Sequence, residues 1–518
     1  MKTTQKILIG LSALGLALTA GTDARANGFE ELANGTEQLS RGGAWLARAT
    51  DPLATFYNPA ALSRNGTAVS LSVNLFMQNT CFERMGPGGQ PVLLGGSNQY
   101  AVETCSEKEL FPNPQLAYQW RVNDKLGVGV AVLGPSAVGK KKFADYDVSF
   151  RRPDGSFGEG PTGSRYILTE MDPKILWPQV AVGYEVAPKL RVGASLIWGL
   201  AFIKFANVSM GTSGSQGALG QRINEPGDQD ARAKVTSKDL FVPGFVLSSM
   251  YTVGDNLDVA LYYHWSDKVK AKGEATIESF VYNKNLKPSA NPASVDTPKG
   301  QTDVTVPQPM EARVGARWYK KRPLEPGAAA PTRMDPLTQE VFDVELDLEW
   351  AHDSQFDTLG LRFAPQNIMA NGDVPATIPQ NADVAHNWKD SYGARLGGDY
   401  NLLPGKLALR GGLYFQTGAM RPEFAHVDFV PTQRLGLTLG GTFRAGPVDI
   451  QVGGGYVFHK TLDNGGNGGT RGIMASENPD CPYGKNDQPF HSCWGVNGGK
   501  VKTSTAVVSL GAVYRFGQ

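Results

Sequence analysis

The sequence predicts an all-β protein, namely a transmembrane antiparallel β-barrel of about fourteen strands with a small N-terminal helical plug (hatch) in its lumen. Three observations support this fold class. Short segments along the whole chain alternate between apolar and polar side chains, their connections alternate between very short and long, and aromatic residues stand near the segment ends. Alternating strands, unequal connections and aromatic girdles are typical of outer-membrane barrels.

The first 26 residues are interpreted as an export signal peptide. Lys2 and Lys6 form a positive start, Ile7 to Ala20 an apolar stretch, and Ala24-Arg25-Ala26 a cleavage site, so the mature chain is expected to begin at Asn27. After that cut, no apolar run approaches the roughly 18 residues that a membrane-spanning helix needs. The pattern therefore excludes a helical membrane protein.

The charge balance gives no sign of a nucleic-acid partner. The chain has 50 basic and 49 acidic residues and a formal net charge of +1. A nucleic-acid-binding surface would require a basic excess or a recognisable motif, and neither is present in the sequence.

The four cysteines fall into two close pairs within polar, Gly/Pro-rich stretches: Cys81 with Cys105, and Cys481 with Cys493. In an exported chain this spacing favours two loop disulfides, although cross-pairing between the two loops stays possible. Metal ligation is disfavoured because no CxxC spacing or nearby histidine pair accompanies them. We expect no metal site.

The segment Thr67 to Phe76 shows the strand pattern most clearly, with Val69, Leu71 and Val73 on one face and serines between them. The same period of two predicts thirteen further strands, an even total as expected for a bacterial barrel. They are Pro114 to Val122, Leu126 to Leu133, Pro178 to Val186, Leu190 to Phe202, Asp239 to Val253, Leu257 to Val269, Met310 to Tyr319, Val341 to Trp350, Ser391 to Tyr400, Leu407 to Gln416, Arg434 to Arg444, Val448 to Phe458 and Ser504 to Phe516.

The connections between these segments support a barrel over a soluble β-sandwich or propeller, which would also have alternating strands. Turns such as Asn123 to Lys125 and Ala445 to Pro447 are very short, and along the chain they alternate with long connections. One exception, Lys320 to Glu340, is a Pro/Ala-rich insertion where a short turn is expected. Short periplasmic turns and long external loops predict an outer-membrane location.

Residues 27–65 precede the first strand and lack strand alternation, so the chain divides into a signal peptide (1–26), an N-terminal plug (27–65) and a barrel (66–518). Helix formers mixed with Gly42-Gly43 and Pro59 suit short helices and turns. The alternative is a disordered periplasmic tail, but Trp45, Phe56 and Tyr57 would be costly to leave in water.

A row of carboxylates is predicted on the inward face of the strand from Val341 to Trp350. Four acids in line repel one another unless they are paired, and neighbouring strands offer inward arginines. We therefore expect a structural network of cross-strand ion pairs, with an acid–base pair or ligand site as the alternative. Its residues are Arg313, Arg317, Asp343, Glu345, Asp347, Glu349, Arg395 and Arg410.

No catalytic motif is present in the sequence. The six histidines are scattered, and no GxSxG or other nucleophile motif accompanies them. We expect neither catalytic residues nor a cofactor.

The stretch Phe56-Tyr57-Asn58-Pro59-Ala60-Ala61-Leu62, directly before the first strand, resembles the FadL-type outer-membrane transporters of long-chain fatty acids and aromatic hydrocarbons. The resemblance continues at Val306-Pro307, Phe342 to Trp350, Asn387 to Tyr392, and the strands from Leu435 to Phe458. It implies a fourteen-stranded barrel closed by an N-terminal hatch.

The resemblance also implies roles for particular residues. In the family, the Asn-Pro-Ala of the hatch lies beside an inward kink in the third strand, where ligand leaves sideways into the bilayer, and Asn58, Pro59 and Ala60 match it. A Phe in third place of the mature chain helps to gate the pocket, and Phe29 matches it. This chain departs from the family at Ala61, where glycine is usual, and its third strand shows no kink unless Gly134-Pro135 supplies one.

The function implied by this resemblance is passive, ligand-gated uptake of hydrophobic small molecules, with lateral release into the outer-membrane lipid, by a monomer that needs no ATP. The alternative is a general diffusion porin or structural barrel for polar solutes. The sequence does not distinguish fatty acids from aromatic hydrocarbons.

Overall fold

The structure is a computed structural model. It describes residues 30–517 apart from 95–98, 137–138, 211–222, 226, 228–229, 325, 327–330, 366, 371–373, 378–379 and 475–489. The predicted signal peptide, Phe29 and Cys481 lie outside the described residues, as does the side chain of Cys493. A disulfide joins Cys81 to Cys105.

Fourteen antiparallel strands form a closed barrel, which confirms the predicted fold class. Each strand pairs with the next, and the last closes on the first, with Ala68 opposite Arg515 and Arg84 opposite Gly499. The strands are β1 Ala68–Gly86, β2 Leu110–Arg121, β3 Leu126–Leu133, β4 Glu170–Ala187, β5 Leu190–Ser209, β6 Ala231–Val253, β7 Leu257–Ser266, β8 Glu311–Lys321, β9 Glu340–Ala351, β10 Ser391–Leu403, β11 Leu407–Gln416, β12 Arg434–Ala445, β13 Val448–His459 and β14 Gly499–Arg515.

The alternation seen in the sequence corresponds to two different surroundings. On β5, Leu196 and Trp198 are more than half exposed, whereas Ile197 between them is buried. Exposed apolar side chains repeat in this way on every barrel strand, because the outer face of such a barrel contacts hydrocarbon. Within the described part of the chain, no helix has the length and apolar character needed to span a bilayer.

Several strands extend far beyond their predicted bounds at the end that leads into a long connection. β1 continues to Gly86, and β4, β5 and β6 reach Glu170, Ser209 and Ala231. In these outer extensions the apolar side chains face inward, as Met171 and Ile175 of β4 do, while outward positions such as Lys174 are polar. The apolar outward face that marks a membrane-spanning strand therefore ends before the hydrogen-bonded strand does. In this outer region the strand Val269–Ser279 replaces β7 as the partner of β6.

Residues 30–65, called here the N-terminal segment, lie inside the barrel. They form helices α1 (Thr36–Ser40) and α2 (Ala54–Tyr57) and a short 3₁₀ helix, Pro59–Ser63. Every residue of the segment is buried except Arg64, which is partly so. A glycine in the wall permits its closest approach: a Cβ on Gly412 of β11 would lie 2.0 Å from the carbonyl carbon of Arg41.

The insertion predicted at Lys320 to Glu340 folds back against the barrel and carries helix α3 (Pro336–Gln339). Arg121 at the end of β2 donates to the Thr332 carbonyl at 2.7 Å, and the Met334 amide donates to the Arg64 carbonyl at 3.1 Å. Arg444 at the end of β12 pairs with Asp335 at 2.7 Å. The insertion thus joins distant strands and the N-terminal segment at the short-turn end of the barrel.

Candidate functional site

The N-terminal segment is held to the wall by buried ion pairs centred on Arg41. Its guanidinium lies 2.9 Å from Asp343 and 3.2 Å from Glu345 on β9, and it also pairs with Asp399 on β10. All four side chains are inaccessible to solvent or nearly so. Since breaking a buried pair leaves an uncompensated charge, these contacts resist removal of the segment from the lumen.

Arg48 adds a second link between the same elements. It contacts Asp343 at 2.8 Å and Asp399 at 3.0 Å, and it pairs with Glu37 within the segment at 2.6 Å. The two arginines therefore share the same two wall carboxylates, which bridge them.

The wall residues that the sequence predicts to form a network make ion pairs with one another at several points. Arg395 contacts Glu349 at 2.7 Å, and Arg313 contacts the same carboxylate at 3.2 Å. Arg317 pairs with Asp343 and with Glu340. The remaining predicted arginine, Arg410, lies 3.1 Å from Asp399.

Two of the predicted carboxylates bind the N-terminal segment in place of the wall arginines. Asp347 accepts hydrogen bonds from the backbone amides of Trp45 and Leu46 at 3.0 and 3.1 Å, and Glu345 accepts one from Ala47 at 2.6 Å. Sequence reasoning missed Arg41 and Arg48 as partners, because the segment has no periodic pattern to show which way a side chain points.

The third strand has the interruption that the resemblance implied at Gly134-Pro135. β3 pairs with β4 up to Leu133 opposite Trp177, and pairing resumes only at Lys141 opposite Met171. Between these points the described residues leave the wall, and Gly134, Pro135 and Ser136 are buried. We call this interruption the wall gap.

The other edge of the wall gap is formed by β2. Pairing of β2 with β3 ends at Leu116 opposite Val132, while β2 continues beside β1 to Leu110. This edge contains Pro112 and Pro114, which have no amide proton and so leave fewer donors to satisfy at an edge.

The start of the N-terminal segment contacts the inner side of the wall gap. Asn34 donates from its side-chain amide to the Gly134 carbonyl at 2.8 Å and accepts from Asn113 of β2 at 2.8 Å. The Ser136 hydroxyl donates to Glu30 at 2.7 Å and accepts from the Glu31 amide at 3.0 Å.

The Asn-Pro-Ala motif packs against the wall strands beside the third strand, and a Cβ on Gly127 of β3 would lie 2.0 Å from the carbonyl oxygen of Leu62 just after it. The Ala60 amide donates to Ser248 of β6 at 2.9 Å, and a Cβ on Gly183 of β4 would lie 2.2 Å from the Pro59 carbonyl oxygen. Asn58 donates to the Leu46 carbonyl at 2.7 Å. The motif thus packs on β4 to β6, and Tyr57 links it to the wall gap by accepting from the Asn34 amide at 2.7 Å.

An apolar interior connects the external loops to the wall gap. Phe356, Trp388 and Phe429 from the long connections pack together, the first two stacked at 4.3 Å between ring centroids. They belong to one buried cluster that continues along the inner wall. Its members toward the wall gap include Ile167, Leu168, Met171, Ile175, Trp177 and Leu133.

An aromatic group from three elements lies at the inner end of this cluster. Phe56 of α2 stacks on Trp177 of β4 at 5.6 Å, and it also meets Tyr262 and His264 of β7 edge to face. The Trp177 ring nitrogen and the Tyr262 hydroxyl are buried without a hydrogen-bond partner among the described residues. The group therefore combines apolar ring faces with two donors that no described residue satisfies.

A buried polar cluster stands beside the loop aromatics. Asp428 contacts His386 at 2.8 Å and His426 at 2.7 Å. Burial lowers the pKa of His426, although the Asp428 carboxylate opposes this shift. Burial also raises the pKa of Asp428, but the two imidazoles outweigh it and hold the pKa well below its usual range.

Comparisons with known proteins agree with this geometry. Residues 17–470 match the family model described as outer membrane protein transport protein (OMPP1/FadL/TodX). No curated protein sequence matches the chain.

Solved structures with the same fold include a Pseudomonas aeruginosa FadL homologue (TM-score 0.64, 15% identity, 94% of this chain and 100% of the other). The Pseudomonas putida toluene transporter TodX is also similar (TM-score 0.57, 14% identity, 95% and 100% covered). So is the Ralstonia pickettii toluene transporter TbuX (TM-score 0.53, 15% identity, 95% and 99% covered). At these identities the likeness shows the fold alone. The family model, which spans most of the sequence, shows that this outer-membrane β-barrel belongs to the OMPP1/FadL/TodX family of transport proteins.

Proposed function

We propose that this chain takes hydrophobic small molecules from the external medium, passes them by diffusion through the apolar interior, and releases them sideways into the bilayer through the wall gap. The observation that carries the proposal is the break in strand pairing between Leu133 and Lys141, which lies beside a buried apolar cluster. The mechanism uses neither ATP nor covalent chemistry, and one barrel suffices.

The surroundings of the wall gap support sideways release. Leu110 and Leu116 of β2 and Leu176 of β4 flank it and are exposed on the outer face. An apolar molecule that leaves at the lower edge of the gap, beside Leu116 and Leu176, enters hydrocarbon and avoids the free-energy cost of exposure to water.

The short-turn end of the barrel offers a poorer exit. The N-terminal segment fills the lumen and is fixed there by Arg41 and Arg48, and the insertion that carries α3 covers the end beyond it. We propose that residues 27–65 act as the plug and that only the start of this segment moves as a gate. Phe29 is proposed to move with this start, while Asn58, Pro59 and Ala60 are proposed to form the fixed part of the hatch.

The cargo class follows from the same interior. TodX and TbuX are toluene transporters by name, and the stacked aromatic side chains here suit a similar monoaromatic ring. The unpartnered Trp177 ring N–H and Tyr262 hydroxyl could also donate hydrogen bonds to the carboxylate of a fatty acid. We propose aromatic hydrocarbons or long-chain fatty acids as substrates.

A reversible cross-link tests the gate. The side chains of Asn34 and Asn113 touch across the wall gap, so an N34C/N113C double variant should form a disulfide that fixes the gate shut. We expect uptake of radiolabelled toluene and oleate into vesicles to fall to the level of protein-free vesicles when the pair is oxidised, and to recover on reduction.

A matched cross-link fixes the same segment to another part of the wall. Thr36 and Ser509 of β14 are joined by a hydrogen bond of 2.7 Å, so T36C/S509C should leave uptake unchanged when oxidised. Equal uptake by oxidised and reduced N34C/N113C would refute lateral release at this gap. Swelling of the vesicles in sugar would instead favour a general porin.

A further inference from the structure

The outward side chains of β4 to β6 change from apolar to basic at one level along the strands. Its apolar part ends at Leu176 on β4, Phe202 on β5 and Leu240 on β6, all exposed. The next outward position toward the long loops is a lysine in each case: Lys174, Lys204 and Lys238, all exposed. Lys272 on the strand Val269–Ser279 is the fourth, and together these residues are called the lysine row.

The strand register gives these lysines neighbours of both signs: Lys204 stands opposite Asp172, and Lys272 stands opposite Asp303 on one side and a lysine on the other. Lys174 stands opposite Phe202, and Phe202 stands opposite Lys238. Lys238 in turn stands directly opposite Lys272. Directly opposite side chains on one face have Cβ atoms about 5 Å apart, and like charges at that distance destabilise a sheet. The arrangement therefore favours an anion between the lysines.

Lysines elsewhere on the same rim are neutralised within the protein. Lys140 lies 2.8 Å from Glu109, Lys142 lies 2.6 Å from Glu107, and Lys502 pairs with Glu103. Within the part of the chain that the structure describes, Lys204, Lys238 and Lys272 form no ion pair. The ammonium groups of Lys204, Lys238 and Lys272 are thus left for a partner that the described part of the chain does not supply.

The shape of the surface is also suited to a ligand. The lysine row borders a groove of about 690 Å³ whose walls include Phe202 and Leu240, with Lys299 beyond. Two carboxylates, Asp172 and Glu274, also line it. Asp172 lies 3.7 Å from Lys174. Five lysines against two acids leave the groove positive above an apolar wall.

We propose that the lysine row binds the phosphate groups of a phosphorylated lipid in the outer leaflet, with the acyl chains lying against Trp198 and Phe241 below. The position of the lysine row favours this partner, because the row lies where the apolar outer face ends and lipid headgroups begin. A lysine ammonium is a compact charge suited to phosphate, and basic side chains at a membrane surface attract anionic lipids additively.

The test uses the full chain in detergent and two probes: a bisphosphorylated disaccharide lipid (lipid A) and its dephosphorylated form. Native mass spectrometry gives the Kd of each. We expect the K204Q/K238Q/K272Q variant to bind the phosphorylated probe about 100-fold more weakly than the wild type, since each lysine contributes about fivefold. Glutamine keeps the side chain long and polar on an exposed face, and heat-modifiable gel mobility checks that the barrel is folded.

The K140Q/K142Q variant, on the same rim, is the matched control and should bind as the wild type does. Three results would overturn the proposal: equal affinity of the triple variant and the wild type, an equal loss in the control, or equal affinity of the wild type for the two probes. Binding of inorganic phosphate as tight as that of lipid A would also overturn it, in favour of a free-anion site.

Discussion

At the scale of single residues, the chain uses the same charges for two tasks. Asp343 and Asp399 face the lumen on neighbouring strands, where alone they would repel each other. Arg41 and Arg48 from the N-terminal segment lie between them and bind both. The arginines thus relieve repulsion in the wall and at the same time anchor the segment inside it.

Replacing Arg41 tests this double role. An R41M variant leaves Asp343, Glu345 and Asp399 with one partner fewer in a buried site, so we expect the free energy of unfolding to fall by about 3 kcal/mol. Urea unfolding in vesicles, followed by heat-modifiable gel mobility, measures it. Replacement of the exposed Arg151 in the same way should change nothing, and equal urea midpoints for both variants would contradict the role assigned to Arg41.

At the scale of elements, the sequence predicts the strand segments whose side-chain alternation the bilayer imposes. The predicted bounds of β3, Leu126 to Leu133, agree with the structure, and the carboxylates of β9 point inward as their alternation indicated. The outer ends of β1 and β4 to β6 were missed, because the apolar outward face that marks a membrane-spanning strand ends before these strands do. The full extent of the wall gap was also unpredictable, since it depends on tertiary contacts from Glu30 and Asn34.

The loop cluster around Asp428 should respond to pH. Because burial lowers the pKa of His426, its unfolded loop binds protons more readily than the folded loop below the ordinary histidine pKa of about 6.5. The stability contributed by the buried neutral ring is therefore present above that pH and lost as the pH falls through it. His386, Asp428 and Lys141, whose ammonium donates to the Asp428 carbonyl at 2.7 Å, share the cluster.

Hydrogen exchange of residues 426–432 measures this response. We expect the protection factors of these amides, the ratio of the intrinsic to the observed exchange rate, to fall as the pH is lowered from 7.5 to 5.5, because the loop opens. An H426Q variant should lose most of this change, because glutamine has no proton to gain. Exchange that follows the intrinsic rate across the whole range in the wild type would contradict the prediction.

At the scale of the whole molecule, the barrel and its contents are separable in structure. The ladder between β1 and β14 closes the barrel through backbone hydrogen bonds that do not involve the N-terminal segment. The segment meets the wall through side chains and through close approaches at glycines such as Gly412 and Gly183. The wall therefore sets the shape of the barrel, and we expect the segment to determine whether its lumen conducts water.

Deletion of residues 36–65 should turn the protein into an aqueous pore. The closed ladder keeps the barrel assembled, but the lumen loses Arg41 and Arg48 while Asp343, Glu345 and Asp347 stay on its wall. These uncompensated carboxylates raise the local concentration of cations, so the pore should be cation-selective. Planar-bilayer recordings under a salt gradient give both conductance and selectivity. The full chain should show no steady conductance, whereas an anion-selective variant, or a full chain that conducts as well as the variant, would contradict the assignment of these residues to the lumen.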